Sequence, residues 1–458
     1  MLSIVSRLGC AALAGGLALL LGGCDIQFRI SAEDLMEPPT LTEEQAEIQR
    51  ALTLAVGNSE IKYKYPQNGD YRSSYIFQDL DGDGHQEALV FYQSESQGQG
   101  TWFNILDQES DGSWRSVCGM PAPGSNRGDS DVDFVDFACL TQDERPNIVV
   151  GWSDERQSKM VMVYTYRDGN LSSDFSWDYT QLALSDLDGD GRTDMTLLSI
   201  DTHYTQVFLA SRQEEGFDVV ASSQLDREVL RFAQISAGFA QPGVPALFID
   251  SDVEQGGQVF QVTDVITART QNGATDLVNL LDDETVLLSP LTLRPAEDIF
   301  CRDADGDGVW EVPTMQLLPG YEDYWDEDPI YLTTYNALED RQLSPVLSGV
   351  INTSHRYLVA FPDRWLNGQV TVVSQPENGE WTFLRYQGDL SDTSVPLLRI
   401  RVYSAKDYRD KFETDYFTLL DRQGLFEYYA AIPNTTDPLA ITQQELQGMF
   451  SFLSEGGR

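Results

Sequence analysis

Asp79-Leu80-Asp81-Gly82-Asp83-Gly84-His85-Gln86-Glu87 recurs with small changes as Asp186-Leu187-Asp188-Gly189-Asp190-Gly191-Arg192-Thr193-Asp194 and as Asp303-Ala304-Asp305-Gly306-Asp307-Gly308-Val309-Trp310-Glu311. Each nonapeptide places carboxylates at positions one, three, five and nine, and a glycine at six permits a sharp turn. Together with the backbone carbonyl at seven, this is the oxygen-only set that a hard cation of calcium's size accepts. Left without a cation, such carboxylates repel one another at close range, so three near-identical copies are hard to explain as solvated acidic turns. An EF-hand would need a bidentate Glu at position twelve, where this chain has Val90, Leu197 and Thr314. β-rich segments flank the loops, Tyr75-Ile76-Phe77 before the first and Ala88-Leu89-Val90-Phe91-Tyr92 after it, which places the metal in a strand-loop-strand unit.

With the first Asp as register mark, two degenerate copies fill the wide gaps. They are Val132-Asp133-Phe134-Val135-Asp136 and Ala246-Leu247-Phe248-Ile249-Asp250, and the spacings become 57, 50, 64 and 53 residues. In the first copy the loop reads as lengthened and metal-free, with Asn147 ahead of a strand Ile148-Val149-Val150. In the second, Asp250, Asp252 and Glu254 hold positions one, three and five while Gln258 takes nine, which leaves at most a weak site. A period of about 50 to 60 residues with short strands and no helical repeat is the pattern of propeller blades. The expected fold is therefore mainly β: a β-propeller with five registers visible and five to seven blades, plus a small C-terminal α+β domain. A strand near Ile61 to Tyr65 is a candidate for closing the ring.

The loops with their strands resemble FG-GAP or VCBS repeats, the blades of integrin α-type propellers and of many bacterial surface proteins. That resemblance implies that the loop joins the first two strands of a blade and binds calcium, about three ions in all. It implies a first site of Asp79, Asp81, Asp83, the carbonyl of His85 and Glu87. The second would use Asp186, Asp188, Asp190, the carbonyl of Arg192 and Asp194, and the third Asp303, Asp305, Asp307, the carbonyl of Val309 and Glu311. The run from Leu35 to Leu52, followed by Tyr71 to Tyr92, looks like exported FG-GAP lipoproteins of clostridial bacteria.

The N-terminus bears on the compartment. Arg7, an apolar run and Leu21-Gly22-Gly23-Cys24 form a secretory signal too short and Gly-rich for a transmembrane span. It resembles a bacterial lipoprotein signal, which implies cleavage before Cys24, a lipid on its thiol, and a mature chain anchored on the outer side of the cytoplasmic membrane. The expected organisation is a signal peptide over 1–23, a tether with a helix over 24–58, a propeller over 59–352 and an α+β domain over 353–458. In the tether, Pro38-Pro39 precedes a capping box of Thr40 and Glu43, and Leu41, Ile48, Leu52 and Ala55 share a helical face before Gly57.

Composition narrows the partners. With 30 basic and 73 acidic residues the net charge is −43, which repels nucleic acid and anionic headgroups, so no nucleic-acid partner is expected and the membrane is met only through the lipid. Cys118, Cys139 and Cys301 remain beyond Cys10 in the signal and the anchor Cys24. An odd number excludes a disulfide framework and leaves one Cys118–Cys139 bridge or buried free thiols open.

After Asn352 the segments Arg356 to Phe361, Val370 to Val373, Trp381 to Tyr386 and Leu397 to Tyr403 read as strands without acidic loops. Helix-like stretches follow near Ala405 to Phe412 and Thr442 to Ser454, and Phe361-Pro362, Trp365 and the strand after them are weakly similar to PsbP-like domains. The three histidines, His85, His203 and His355, are not at metal spacing, and no zincin, Walker or nucleophile-elbow motif is present. The chain is therefore expected not to be an enzyme. Arg127-Gly128-Asp129 is a short match better explained by chance, whereas Tyr321, Tyr324 and Trp325, interleaved with acids up to Asp328, form a possible ligand loop for a sugar or protein. The expected function is a calcium-binding envelope lipoprotein that binds an unknown surface protein or glycan. The alternatives are a carbohydrate-active envelope enzyme and an assembly partner of a membrane protein.

Overall fold

In the strand Asn147–Ser153 every residue but the last is buried. Ile148, Val150 and Trp152 enter one hydrophobic cluster, while Val149 between them enters another. Because side chains alternate along a strand, this one must lie in a sheet covered on both faces. Leu247 and Ile249 likewise face one cluster while Ala246 and Phe248 face the next. Stacked sheets, with residues of alternate parity feeding successive cores, are the construction principle of the fold.

The computed structural model describes residues 41–98, 100–124, 130–141, 145–201, 204–214, 216–225, 227–282, 287–322, 328–404 and 416–453. The expected signal segment with Cys24, the Arg127-Gly128-Asp129 tripeptide, His203, Tyr324, Trp325 and the expected helix at Ala405 to Phe412 lie outside the described residues. Two units are distinguished, 1–50 and 51–458. The first contributes the start of helix α1 (Glu43–Ala55). Its N-terminal box is formed by Thr42 and Gln45, whose side chains each accept the other's backbone N–H at 3.1 Å, while Thr40 lies outside the described residues. The helix begins at Glu43, so the hydroxyl immediately before it is the one that caps.

The second unit contains six antiparallel sheets, and among the described residues none closes on itself. Sheet 1 runs Tyr75–Gln78, Glu87–Ser94, Trp102–Gln108, Trp114–Pro121. The strand expected to close a ring, Ile61–Lys64, instead pairs within sheet 1, continuing along the same edge of Glu87–Ser94 that Tyr75–Gln78 occupies. Sheets 2, 3 and 4 are plain four-stranded meanders beginning at Asp131–Ala138, Gln181–Ser185 and Arg231–Gln241, with Arg294–Pro295 added to the last. Sheet 5 holds Val312–Leu317, Tyr331–Glu339, Gln342–Asn352, Tyr357–Ala360 and Phe450–Phe452, and sheet 6 holds Val370–Gln375, Glu380–Arg385, Pro396–Ser404, Phe426–Ala431 and Thr418–Gln423.

The expected boundary at 352/353 falls inside a hairpin, because Gln342–Asn352 pairs with Tyr357–Ala360. One core cluster joins Val350, Tyr357 and Val359 of sheet 5 to Val372, Phe383 and Ile400 of sheet 6, so the C-terminal segment is continuous with what precedes it. The strands expected there are present. The helix expected over Thr442 to Ser454 is shorter, α2 (Gln443–Met449), capped by Thr442 and Glu445. It stops because Phe450–Phe452 pairs with Tyr357–Ala360, putting Phe450 5.5 Å from the Tyr357 ring and Phe452 4.9 Å from that of Tyr428.

Two expectations about the degenerate copies are corrected. Asp250 does not sit in a loop: sheet 4 joins its first two strands at the tight turn between Gln241 and Val244, and Asp250 lies inside Val244–Gln255. Its side chain is 1 % exposed and pairs with the buried Arg294 at 2.7 Å. The guanidinium also donates to Ile299 O, Thr292 O and Thr263 Oγ1, while Asp250 accepts from Cys301 N and Thr263 Oγ1, so the weak metal site expected there is already filled by a cationic side chain. Among the described residues Cys118, Cys139 and Cys301 form no disulfide, so the Cys118–Cys139 bridge is absent; Cys118 is half-buried, Cys139 exposed and Cys301 buried.

Removing one partner of such a buried pair leaves an uncompensated charge. Arg294→Ala should therefore lower unfolding free energy by about 3–5 kcal/mol, whereas Arg115→Ala, whose side chain is 58 % exposed beside the exposed Glu109, should change it by less than about 1 kcal/mol. Denaturant midpoints for the two variants test this ordering, and equal losses would contradict it.

Candidate metal centres and a C-terminal cleft

Each acidic loop joins a first strand to a second: Tyr75–Gln78 to Glu87–Ser94, Gln181–Ser185 to Asp194–Ile200, and Arg302, bridged to Glu311, to Val312–Leu317. Gly82 and Gly84 have φ of 80° and 89°, and Gly189, Gly191, Gly306 and Gly308 repeat that left-handed pair, which explains why position six and its neighbour at four are glycine.

The carboxylate at position nine anchors the turn. Glu87 Oε2 accepts the N–H of Leu80 at 2.6 Å, Asp194 Oδ2 that of Leu187 at 3.0 Å, and Glu311 Oε2 that of Ala304 at 2.7 Å. Position one closes over the glycines: Asp79 accepts from Gly82 and Gly84, Asp186 from Gly191, and Asp303 from Gly306 and Gly308. The result is three convergent sets, Asp79–Asp81–Glu87, Asp186–Asp188–Asp194 and Asp303–Asp305–Glu311, in each of which one oxygen per residue lies within 4.8 Å of the others. Position five is not in these sets. Asp83, Asp190 and Asp307 instead accept the amide of position seven, from His85 at 2.7 Å, Arg192 at 2.9 Å and Val309 at 2.7 Å. The carbonyls of His85, Arg192 and Val309 belong to the turn so fixed.

These clusters could hold metal ions. Glu87 Oε1 and Asp186 Oδ1 are buried with no hydrogen-bond partner among the described residues, and Glu87 is only 1 % exposed. A buried carboxylate oxygen without a partner is unfavourable unless something cationic meets it. Burial, reinforced by neighbouring carboxylates, pushes Glu87 and Glu311 up to about 7 and Asp194 up to about 6, and it raises Asp81 and Asp188 as well.

Sheet 2 has an amide at position nine where the acidic loops have a carboxylate. Its loop spans Cys139 to Asn147, the same nine positions as the others and not a lengthened loop. Asn147 Oδ1 accepts the N–H of Leu140 at 3.0 Å and of Thr141 at 3.1 Å, taking the role of Glu87, while its Nδ2 donates to Thr165. Cys139 and Thr141 stand at positions one and three, so this turn is held by a neutral amide.

A second feature lies between sheets 5 and 6. A cleft of about 370 Å³ is lined by Glu297, Asp328, Tyr331, Thr333, His355 and Trp381, among others. Burial and the nearby Asp328 raise the pKa of Glu297, and burial lowers that of His355. Thr333 Oγ1 and His355 Nδ1 are buried without a hydrogen-bond partner among the described residues. Of the expected ligand loop, Tyr321 is corrected: it is 3 % exposed and donates its hydroxyl to Val372 O at 2.8 Å, a core position that offers no ring to a ligand. Asp328, at the end of that loop, is the part that lines the cleft. Glu297, Thr333, His355 and Trp381 carry no local motif and come together only through the packing of two sheets.

No protein-family model matches the chain, and no curated protein does. The resemblance to FG-GAP or VCBS repeats therefore finds no family match, and the β-rich multi-sheet fold is what stands. Among solved structures, the exotype rhamnogalacturonan lyase YesX matches at 13 % identity over 66 % of this chain and 64 % of its own, with a TM-score of 0.27. A rhamnogalacturonan lyase of Bacillus licheniformis matches at 12 % identity over 59 % and 60 %, with a TM-score of 0.22. The rhamnogalacturonan lyase YesW matches at 13 % identity over 62 % and 62 %, with a TM-score of 0.23. The chain thus spans under two thirds of the structures it matches. These neighbours are enzymes, so the expectation that this chain is not one does not stand, without an activity being read from them. With TM-scores this low their reaction is not carried over.

The raised carboxyls give a pH signature. A carboxyl whose native pKa lies above its unfolded value holds more protons folded than unfolded between the two, so metal-free stability should fall as pH rises from about 4 to about 7. A cation must displace those protons, so a divalent cation that fits these oxygen sets should stabilise little near pH 5 and fully above about pH 7. Thermal melts with and without calcium across that range test the sign; a calcium increment that grows on acidification would refute it.

Proposed function

We propose that this chain is a calcium-binding lipoprotein of the cell envelope whose sheets form a β-propeller scaffold for a surface ligand, protein or glycan. The observation that carries the reading is the buried, unpartnered oxygen of Glu87 beside Asp79 and Asp81, repeated in kind at Asp186. Its donors are all oxygens, which suits calcium over the softer metals that take nitrogen or sulfur. The propeller is supported by four-stranded meanders following one another along the chain, with cores shared between neighbours. Anchoring rests on the Leu21-Gly22-Gly23-Cys24 motif.

Bound calcium would replace repulsion among the carboxylates by attraction and lock the turns that lead into Glu87–Ser94, Asp194–Ile200 and Val312–Leu317. Position one would orient the ion against the glycine amides, and position nine would tie it to the buried second strand. The scaffold would then present its other connections rigidly.

A second reading, a carbohydrate-active envelope enzyme, is favoured by the cleft between sheets 5 and 6, where a buried-shifted carboxyl, Glu297, lies near Asp328 with Tyr331 and Trp381 alongside. Two neighbouring carboxyls, one of them raised by burial, are the kind of pairing from which glycosidic bond cleavage is built. Reducing-end release from a panel of polysaccharides, lost in Glu297→Gln, is the expected result under this reading, and no release from any of them would remove it.

Calcium titration should give about three ions with affinities on the order of 0.1–1 mM. Saturation at 10 mM should then stabilise by about 1.4–2.7 kcal/mol per site. Asp81→Ala, Asp188→Ala and Asp305→Ala should each lose one ion, and retention of all ions by every variant would sink the assignment. Cys24→Ala should leave the precursor unprocessed and unanchored, whereas unchanged membrane partitioning would remove the lipoprotein reading.

A further inference from the structure

The cleft between sheets 5 and 6 carries more than a pair of acids. Tyr331 and Thr333 reach it from one face of the strand Tyr331–Glu339 while Leu332 between them enters the core, so its floor is set by strand alternation. His355 comes from the turn after Gln342–Asn352, where its N–H donates to Asn352 Oδ1 at 2.9 Å. Trp381 comes from the facing strand of sheet 6, its ring held edge-on against Tyr357 at 5.9 Å. At about 370 Å³ the cavity falls in the lower range of small-ligand sites.

Charge narrows the ligand. Glu380 in the same wall is committed, accepting from Arg399 and Arg401. Glu297 and Asp328 make no ion pair among the described residues, and Tyr331 and Trp381 line the same cleft. Two uncompensated carboxylates with aromatic walls repel anions and attract a protonated amine. The buried hydroxyl of Thr333, 0 % exposed and without a partner among the described residues, and His355 Nδ1 add two polar atoms suited to hydroxyl groups. Stacking on an aromatic ring, hydroxyl recognition and an ammonium site meet in one class of molecule.

We propose that this cleft binds a saccharide carrying a free amine, with the ammonium between Glu297 and Asp328, the ring against Trp381 and Tyr331, and hydroxyls on Thr333 Oγ1 and His355 Nδ1. The inference rests on the carbohydrate reading of the cleft, and names the substrate class for it.

The test uses the mature chain saturated with calcium, at physiological salt and a pH where the sugar amine is charged. Glucosamine tetramer and its fully N-acetylated counterpart are titrated calorimetrically, with indole fluorescence as a second readout. The amine form should bind at least tenfold more tightly, and Glu297→Gln and Asp328→Asn should each weaken it roughly tenfold with the melting temperature unchanged. Trp381→Leu should reduce affinity and remove the fluorescence change. Because a net charge of −43 draws cations everywhere, Glu254→Gln, an exposed acid of sheet 4, serves as control and should leave binding intact. Equal binding of the N-acetylated tetramer, still sensitive to Trp381→Leu, would overturn the amine and leave the carbohydrate reading standing. Binding of neither tetramer, or binding indifferent to all three cleft variants, would overturn both.

Discussion

The arrangement of this protein depends on a side-chain oxygen buried at the base of a turn, where it accepts the amide seven residues earlier. Glu87, Asp194 and Glu311 each do this from the first position of a buried second strand or beside it. The bond sets the length of the loop, and the loop sets how the first strand is laid against the second. Everything else in the acidic loops follows: the glycines bend so that position one can reach back, and the carboxylates converge because the turn leaves them nowhere else to point. The same bond brings a penalty, since burial raises the energy of the charge that makes it. The loop is thus built with a charge it cannot hold comfortably alone.

Much of this was legible in the sequence because it is local. Nine residues with fixed acid and glycine positions specify a turn regardless of what surrounds it, and the strands on either side announce themselves by unbroken apolar runs such as Ala88 to Tyr92. The register of the degenerate copies was misread for the converse reason. Asp136 and Asp250 resemble position one, but the residue that aligns the turn is the acceptor at position nine, and Asn147 plays that part without being acidic. In sheet 4 no loop of this kind exists, and Asp250 answers to Arg294, 44 residues away in sequence. A pairing over that distance leaves no spacing signal.

The C-terminal region teaches the same lesson about function. Tyr321 looked like a surface aromatic because acids flank it, yet its ring fills the core between sheets 5 and 6. Glu297, Thr333, His355 and Trp381 are scattered over 85 residues with nothing to mark them, and the cleft exists only because strands from two sheets present alternate residues to a common space. The domain boundary expected at Asn352 was misplaced for a related reason: the change from acidic loops to plain turns is a change in decoration, whereas the hydrogen-bonded ladder runs straight through it.

Asn147 has a consequence that reaches past sheet 2. A neutral amide holds the same backbone bonds there as a carboxylate does elsewhere, so the turn and the ion are separable inventions: the scaffold needs the acceptor, and the metal needs only the charge. If the acidic loops hold ions, ion content would be editable one loop at a time through the acids at positions one, three and nine, with no repacking of the strands beneath. Chains sharing these sheets would be free to differ widely in how many ions they carry, and a count of acidic loops would be a record of ancestry and habitat more than of architecture.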